Sequence, residues 1–66
     1  MTLKEFVGLD KSGAMFKIVD ATKTGYMNTK EYLTYADRNV VNKFCGDKTV
    51  VGYEAIGKNK VAVYVV

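Results

Sequence analysis

The chain contains no histidine, no proline and no tryptophan, and it has one cysteine in 66 residues. Each absence removes a class of function. Without histidine the commonest general base is missing, and so is the commonest metal ligand. Cys45 alone cannot form an internal disulfide framework, which fits a reducing compartment. No Cys/His cluster with zinc spacing exists. No apolar run approaches the ~20 residues of a membrane-spanning helix, and Met1-Thr2-Leu3-Lys4-Glu5-Phe6 lacks the apolar core of a signal peptide. These features lead to the expectation of a cytoplasmic, non-membrane protein with no cofactor and no enzymatic activity.

What is present is a globular composition, 48% hydrophobic with six glycines, and no linker or low-complexity tract. Residues 1–66 are read as one domain. A domain of this size buries only ~60% of the surface its unfolded chain exposes, so each large apolar residue counts. Ten basic residues against seven acidic ones give a net charge of +3, with the lysines scattered as on an ordinary solvated surface.

The last eighteen residues are the most informative. Val50–Ile56 and Val61–Val66 read as two strands joined by the turn Gly57-Lys58-Asn59-Lys60. In Val61–Val66 both alternating faces are apolar, as in strands covered on both sides. At a sheet edge such a strand is an aggregation hazard unless paired, and pairing with its copy would give a homodimer through this C-terminal strand.

Upstream, Thr2 with Glu5 three positions on forms a capping box, and Leu3, Phe6 and Val7 share one helical face that Gly8 ends. Ala14–Val19 alternates as a strand, and Tyr26-Met27 is a short return strand. Asn28 with Glu31 repeats the capping-box pattern, and Leu33, Ala36, Val40 and Phe44, with Val41 beside them, step at helical spacing. Gly46 stands where a left-handed residue would end that helix. The pair Val40-Val41 weakens the helix and leaves a strand as the alternative for 38–45. The expected fold is α+β, in the order α-β-β-α-β-β, with an antiparallel four-stranded sheet and one main helix packed on one face.

The opening Thr2-Leu3-Lys4-Glu5-Phe6, the segment Lys30-Glu31-Tyr32-Leu33 and the closing valine-rich hairpin together resemble short uncharacterised α+β proteins of phages and mobile elements of Gram-positive bacteria. That resemblance implies a compact α+β unit and an accessory or inhibitory factor acting on host machinery. It implies no shared chemistry.

Asp20-Ala21-Thr22-Lys23-Thr24-Gly25-Tyr26-Met27-Asn28-Thr29-Lys30-Glu31 resembles a degenerate EF-hand loop, with an acid at position 1, Gly at 6 and Glu at 12. Asp20, Thr22, Thr24, Asn28 and Glu31 would supply the oxygens. Two of the expected carboxylate or amide ligands are neutral hydroxyls, and the same residues equally make a polar turn. Lys11-Ser12 after Gly8 lacks the glycine that a phosphate loop needs before its lysine.

Five tyrosines are many for this length. Tyr53 and Tyr64 on the hairpin, with Lys58, Lys60 and Lys17, are the candidate partner-binding residues. They suit a protein interface, where tyrosine anchors are enriched, and sheet-edge pairing or steric occlusion is the mechanism expected. The alternative is nucleic acid, stacked on tyrosines with lysines on the phosphates. Tyrosines that merely rim a small core are the plain structural alternative.

Overall fold

The computed structural model describes residues 1–22 and 30–66. Helix α1 (Leu3–Gly8) begins at Thr2, whose Oγ1 accepts the Glu5 N–H at 3.2 Å while Glu5 Oε1 accepts the Thr2 N–H at 2.9 Å. Two helical turns do not hold alone. Here the Leu3 N–H donates to Lys48 O at 2.7 Å and the Lys4 N–H to Gly46 O at 2.9 Å, so the loop after the second helix satisfies the N–H groups that open α1. Leu3 and Val7 are fully buried.

Strand β1 (Met15–Asp20) comes next, then β2 (Lys30–Ala36), helix α2 (Arg38–Cys45), β3 (Val50–Gly57) and β4 (Lys60–Val65). The element order and the α+β class are as expected, but three expectations are corrected.

First, residues 30–36 are strand. The helix starts only at Arg38, capped by Asp37, whose side chain accepts the Val40 N–H at 2.9 Å. Its buried positions are Val41 and Cys45, one turn apart, while Val40 and Phe44 face solvent. Asn28 and the return strand Tyr26-Met27 lie outside the described residues.

Second, the sheet is mixed. Its order is β2-β1-β4-β3, with β1 antiparallel to β2, β4 antiparallel to β3, and β1 parallel to β4. The cause is α2, which carries the chain from β2 back to start β3 in the same direction, so β4 runs with β1.

Third, β4 is interior, bonded to β1 on one side and β3 on the other. The C-terminal strand therefore offers no free edge through which a homodimer could form. Among the described residues the edge strands of the sheet are β2 and β3.

The alternation of β1 puts Phe16 and Ile18 toward the helices, and its register sets them beside Val61 and Val63 of β4. Leu3, Val7, Ala14, Phe16, Ile18, Val41, Cys45, Val63 and Val65 form one buried cluster. Burial pushes the Cys45 thiol above its ordinary pKa, consistent with a packing role. Asp20, buried at the end of β1, accepts the Thr22 N–H at 2.8 Å and its hydroxyl at 2.5 Å.

Among the described residues, two other than glycine take positive φ. Tyr35 in β2 has φ +54, at a point where the register against β1 shifts between Phe16 and Ile18. An extra residue is accommodated there as a bulge. In the β3–β4 turn Asn59 takes φ +57, a conformation that asparagine tolerates well.

Gly46 is not left-handed but has φ −62. A Cβ there would stand 2.9 Å from Asn42 O and 3.2 Å from Asn42 Cα, so glycine is required by close approach. Gly46→Ala is expected to lower stability by about 1–3 kcal/mol, read as a shifted denaturant midpoint with an unchanged slope.

Candidate functional site

The structure places four of the five candidate residues on two surfaces and leaves the fifth, Lys58, apart. Lys17, Lys60 and Tyr64 lie on the sheet face away from the buried cluster, because they alternate with Ile18, Val61 and Val63. On that face Lys17 Nζ is 2.9 Å from Glu31 Oε1, and Glu31 Oε2 accepts the Thr34 hydroxyl at 2.7 Å. The Tyr64 hydroxyl donates to Glu54 Oε1 at 2.7 Å, which raises its pKa, and the Lys60 ammonium sits 4.8 Å from the Tyr35 ring centre. Lysines and tyrosines are therefore matched with Glu31, Glu54 and one another. A surface for phosphates would instead leave its cations unpaired and free of carboxylates. Lys58 is apart from both surfaces, exposed in the hairpin turn.

Tyr53 is on the helix side of β3 and is 67% exposed. Its ring packs at 5.1 Å, centre to centre, on half-buried Phe6 of α1. Around this pair the surface is largely apolar. A hollow of about 380 Å³ is lined by Phe6, Leu9, Phe16, Tyr53, Ala55 and Val61, together with the polar Asp10, Ser12, Asn59 and Lys60. A second of about 360 Å³ adds Met1, Val50 and Val51 and shares Phe6, Leu9 and Tyr53. Leu9 and Val51 are more than half exposed. Together they form an apolar groove beside an edge strand.

That edge is open. The Val50 N–H donates to Met1 O at 2.9 Å and Thr49 bridges Thr2, but beyond Val50 no described residue pairs with the outer side of β3. Edge strands are usually blunted by lysine, proline or bulges. The other edge, β2, obeys that rule with Lys30, Glu31 and the Tyr35 bulge. In β3 the one charged residue is Glu54, and it projects to the opposite face, where it meets Tyr64.

Phe6, Leu9 and Val51 were not among the residues singled out from the sequence. Phe6 was placed on the apolar face of the first helix, Val51 fell within the strand Val50–Ile56, and Leu9 carried no reading. Only the return of α1 beside β3 brings them together.

Most of the calcium-loop pattern, residues 23–29, lies outside the described residues. The segments that would enter and leave such a loop are strands β1 and β2, whereas the site requires helices. Asp20 is tied to Thr22, and Glu31 to Lys17 and Thr34 on the open face. Thr24 and Asn28 lie outside the described residues. No group of three or more His, Cys, Asp or Glu residues that could hold a metal occurs among the described residues.

Ser12 has a neighbour the sequence did not reveal. Its hydroxyl donates to Asp10 Oδ1 at 2.6 Å. The same carboxylate also accepts the Ser12 N–H at 3.0 Å and the Ala14 N–H at 2.9 Å. These bonds, the Ser12 hydroxyl foremost, hold it below its ordinary pKa. A carboxylate so saturated is a loop brace and a poor base.

Glu5, held down by the Thr2 N–H and hydroxyl, and Glu31, held down by the Thr34 hydroxyl and Lys17, are depressed in the same direction. A carboxylate with a lower pKa folded than unfolded adds stability above its unfolded pKa, and that stability is lost as pH falls through the folded value. The melting temperature is therefore expected to stay level from about pH 8 to 5 and to drop below about pH 4. A thermal titration monitored by circular dichroism reads this directly.

Compared with known proteins, the chain matches no family model, no curated protein and no solved structure. Among the described residues no helix is long and apolar enough to cross a membrane.

Proposed function

We propose that this is a small non-enzymatic binding protein that engages another polypeptide by adding a strand to the open edge of β3. The observation that carries the reading is the combination at one place of an unpaired strand edge and an apolar groove centred on Tyr53 and Phe6. An added strand would gain main-chain hydrogen bonds along Val51–Ala55, and its alternate side chains would enter the groove. Tyr53 is the anchor, and Lys58 lies at the end of the strand. The resemblance to phage and mobile-element proteins supports an accessory or inhibitory role, in which occupying a host protein's exposed segment is itself the mechanism.

Tagged protein is captured from a lysate with and without nuclease, at low and high salt. A defined protein retained in all arms supports the proposal and names the target. Recovery of nucleic acid, with binding lost steeply as salt rises, would transfer the function to the Lys17/Tyr64 face.

A further inference from the structure

We propose that Glu54 sets the chemistry of the strand that β3 accepts: a short extended segment, antiparallel to β3, with a lysine or arginine opposite Glu54 and an apolar residue on each side of it. This inference rests on reading the β3 edge as the binding surface and names what that surface selects.

The length follows from what already lies beside β3. Thr2 bridges Thr49 in the antiparallel sense and the Val50 N–H donates to Met1 O, so Met1–Thr2 fills the outer line as far as Val50. An incoming strand must end or turn away there. At the other end the pairing of β3 with β4 becomes irregular between Ala55 and Gly57. Val51–Ala55 is the stretch that remains, and antiparallel pairing is the more stable arrangement for so short a segment.

The two faces of that segment meet different surroundings. Directly opposed residues of neighbouring strands share a face of the sheet. Residues opposite Tyr53 and Ala55 therefore enter the helix side, where Phe6, Leu9 and Val61 line the groove and take apolar groups. The residue between them, opposite Glu54, projects to the open face. Cations already on that face are engaged elsewhere: Lys17 Nζ meets Glu31 at 2.9 Å, and the Lys60 ammonium lies 4.8 Å from the Tyr35 ring centre. Glu54 is exposed, and no lysine or arginine among the described residues forms an ion pair with it. The Tyr64 hydroxyl, 2.7 Å from Oε1, orients the carboxylate and leaves its charge unmatched. Opposite charges facing each other across antiparallel strands attract, and like charges repel. The edge thus favours an apolar–basic–apolar segment and disfavours one with an acidic centre.

The probe is the capped peptide Ac-Thr-Val-Lys-Val-Thr-Thr-amide, compared with the same peptide carrying glutamate in place of lysine. Each is titrated into isotope-labelled protein and followed by amide chemical shifts. The shifts should centre on Val51–Ala55, with the lysine peptide bound about tenfold more tightly, since attraction is gained and repulsion avoided together. Glu54→Lys should reverse the order of the two peptides. Glu54→Gln, which keeps an acceptor for Tyr64, should make them equal, and it decides the matter should Glu54→Lys fail to fold. Equal binding of both peptides to the wild-type edge overturns selection by Glu54 and leaves the edge as the binding surface. Absence of any β3 shift with either peptide at millimolar concentration also overturns the inference. The edge reading is then judged separately, on whether captured protein survives nuclease and salt.

Discussion

Phe16→Ala is expected to leave the chain unfolded at 25 °C, with lost amide dispersion and no cooperative thermal transition. Phe16 is 2% exposed in the central strand β1, opposite Ala36 of β2 and Val61 of β4. It is the largest member of the buried cluster and contacts the layer that α1 and α2 supply. Truncating a buried phenylalanine costs about 3–5 kcal/mol. A single core in a chain this short rarely supplies more than about 3–5 kcal/mol of net stability. The loss therefore equals the whole margin. Two comparisons separate packing from side-chain identity. Phe16→Leu keeps most of the apolar volume and should remain folded with a lowered midpoint. Phe44→Ala removes a ring that is 66% exposed and should change stability by no more than about 0.5 kcal/mol.

What could and could not be read from the sequence depends on how local each signal is. The α1 start was legible because Thr2 and Glu5 complete a capping box within four residues. The β3–β4 hairpin was legible because two apolar runs flank a short turn. Residues 30–36 misled for a physical reason. The bulge at Tyr35 inserts one residue, so Leu33 and Ala36, three apart, both pack on the core from a strand. Three is helical spacing, and Val40 and Phe44 continue it by coincidence while facing solvent. The real cap, Asp37, was masked by the more regular pattern at Asn28 and Glu31. Strand order is a non-local property, so neither the parallel β1–β4 pair nor the interior place of β4 had a local signature. At the candidate site Tyr53 was visible as a tyrosine on a hairpin, and edge pairing was expected through the C-terminal strand, which the sheet order makes interior. The groove was not visible, because it forms only where α1 returns beside β3.

Tyr53→Lys is expected to weaken binding of the captured target by about 30-fold or more while leaving the fold unchanged. Tyr53 is 67% exposed and lies outside the buried cluster, so its replacement removes little packing. What it removes is the ring packed at a tilt against Phe6 at the centre of the groove, where the loss of an anchoring aromatic typically costs about 2 kcal/mol or more. A lysine on the strand also places a charge where an incoming strand must desolvate it, the device by which natural edges repel pairing. Lys58→Glu supplies the contrast. It lies in the exposed turn, so a target held by main-chain bonds and apolar anchors should lose only a few-fold. A phosphate-bound partner should be crippled by that charge reversal and little affected by Tyr53→Lys. Isothermal titration of both variants against the recovered target, with thermal melts as the folding control, separates the two. A target that tolerates Tyr53→Lys but not Lys58→Glu would remove the β3 edge from the binding surface.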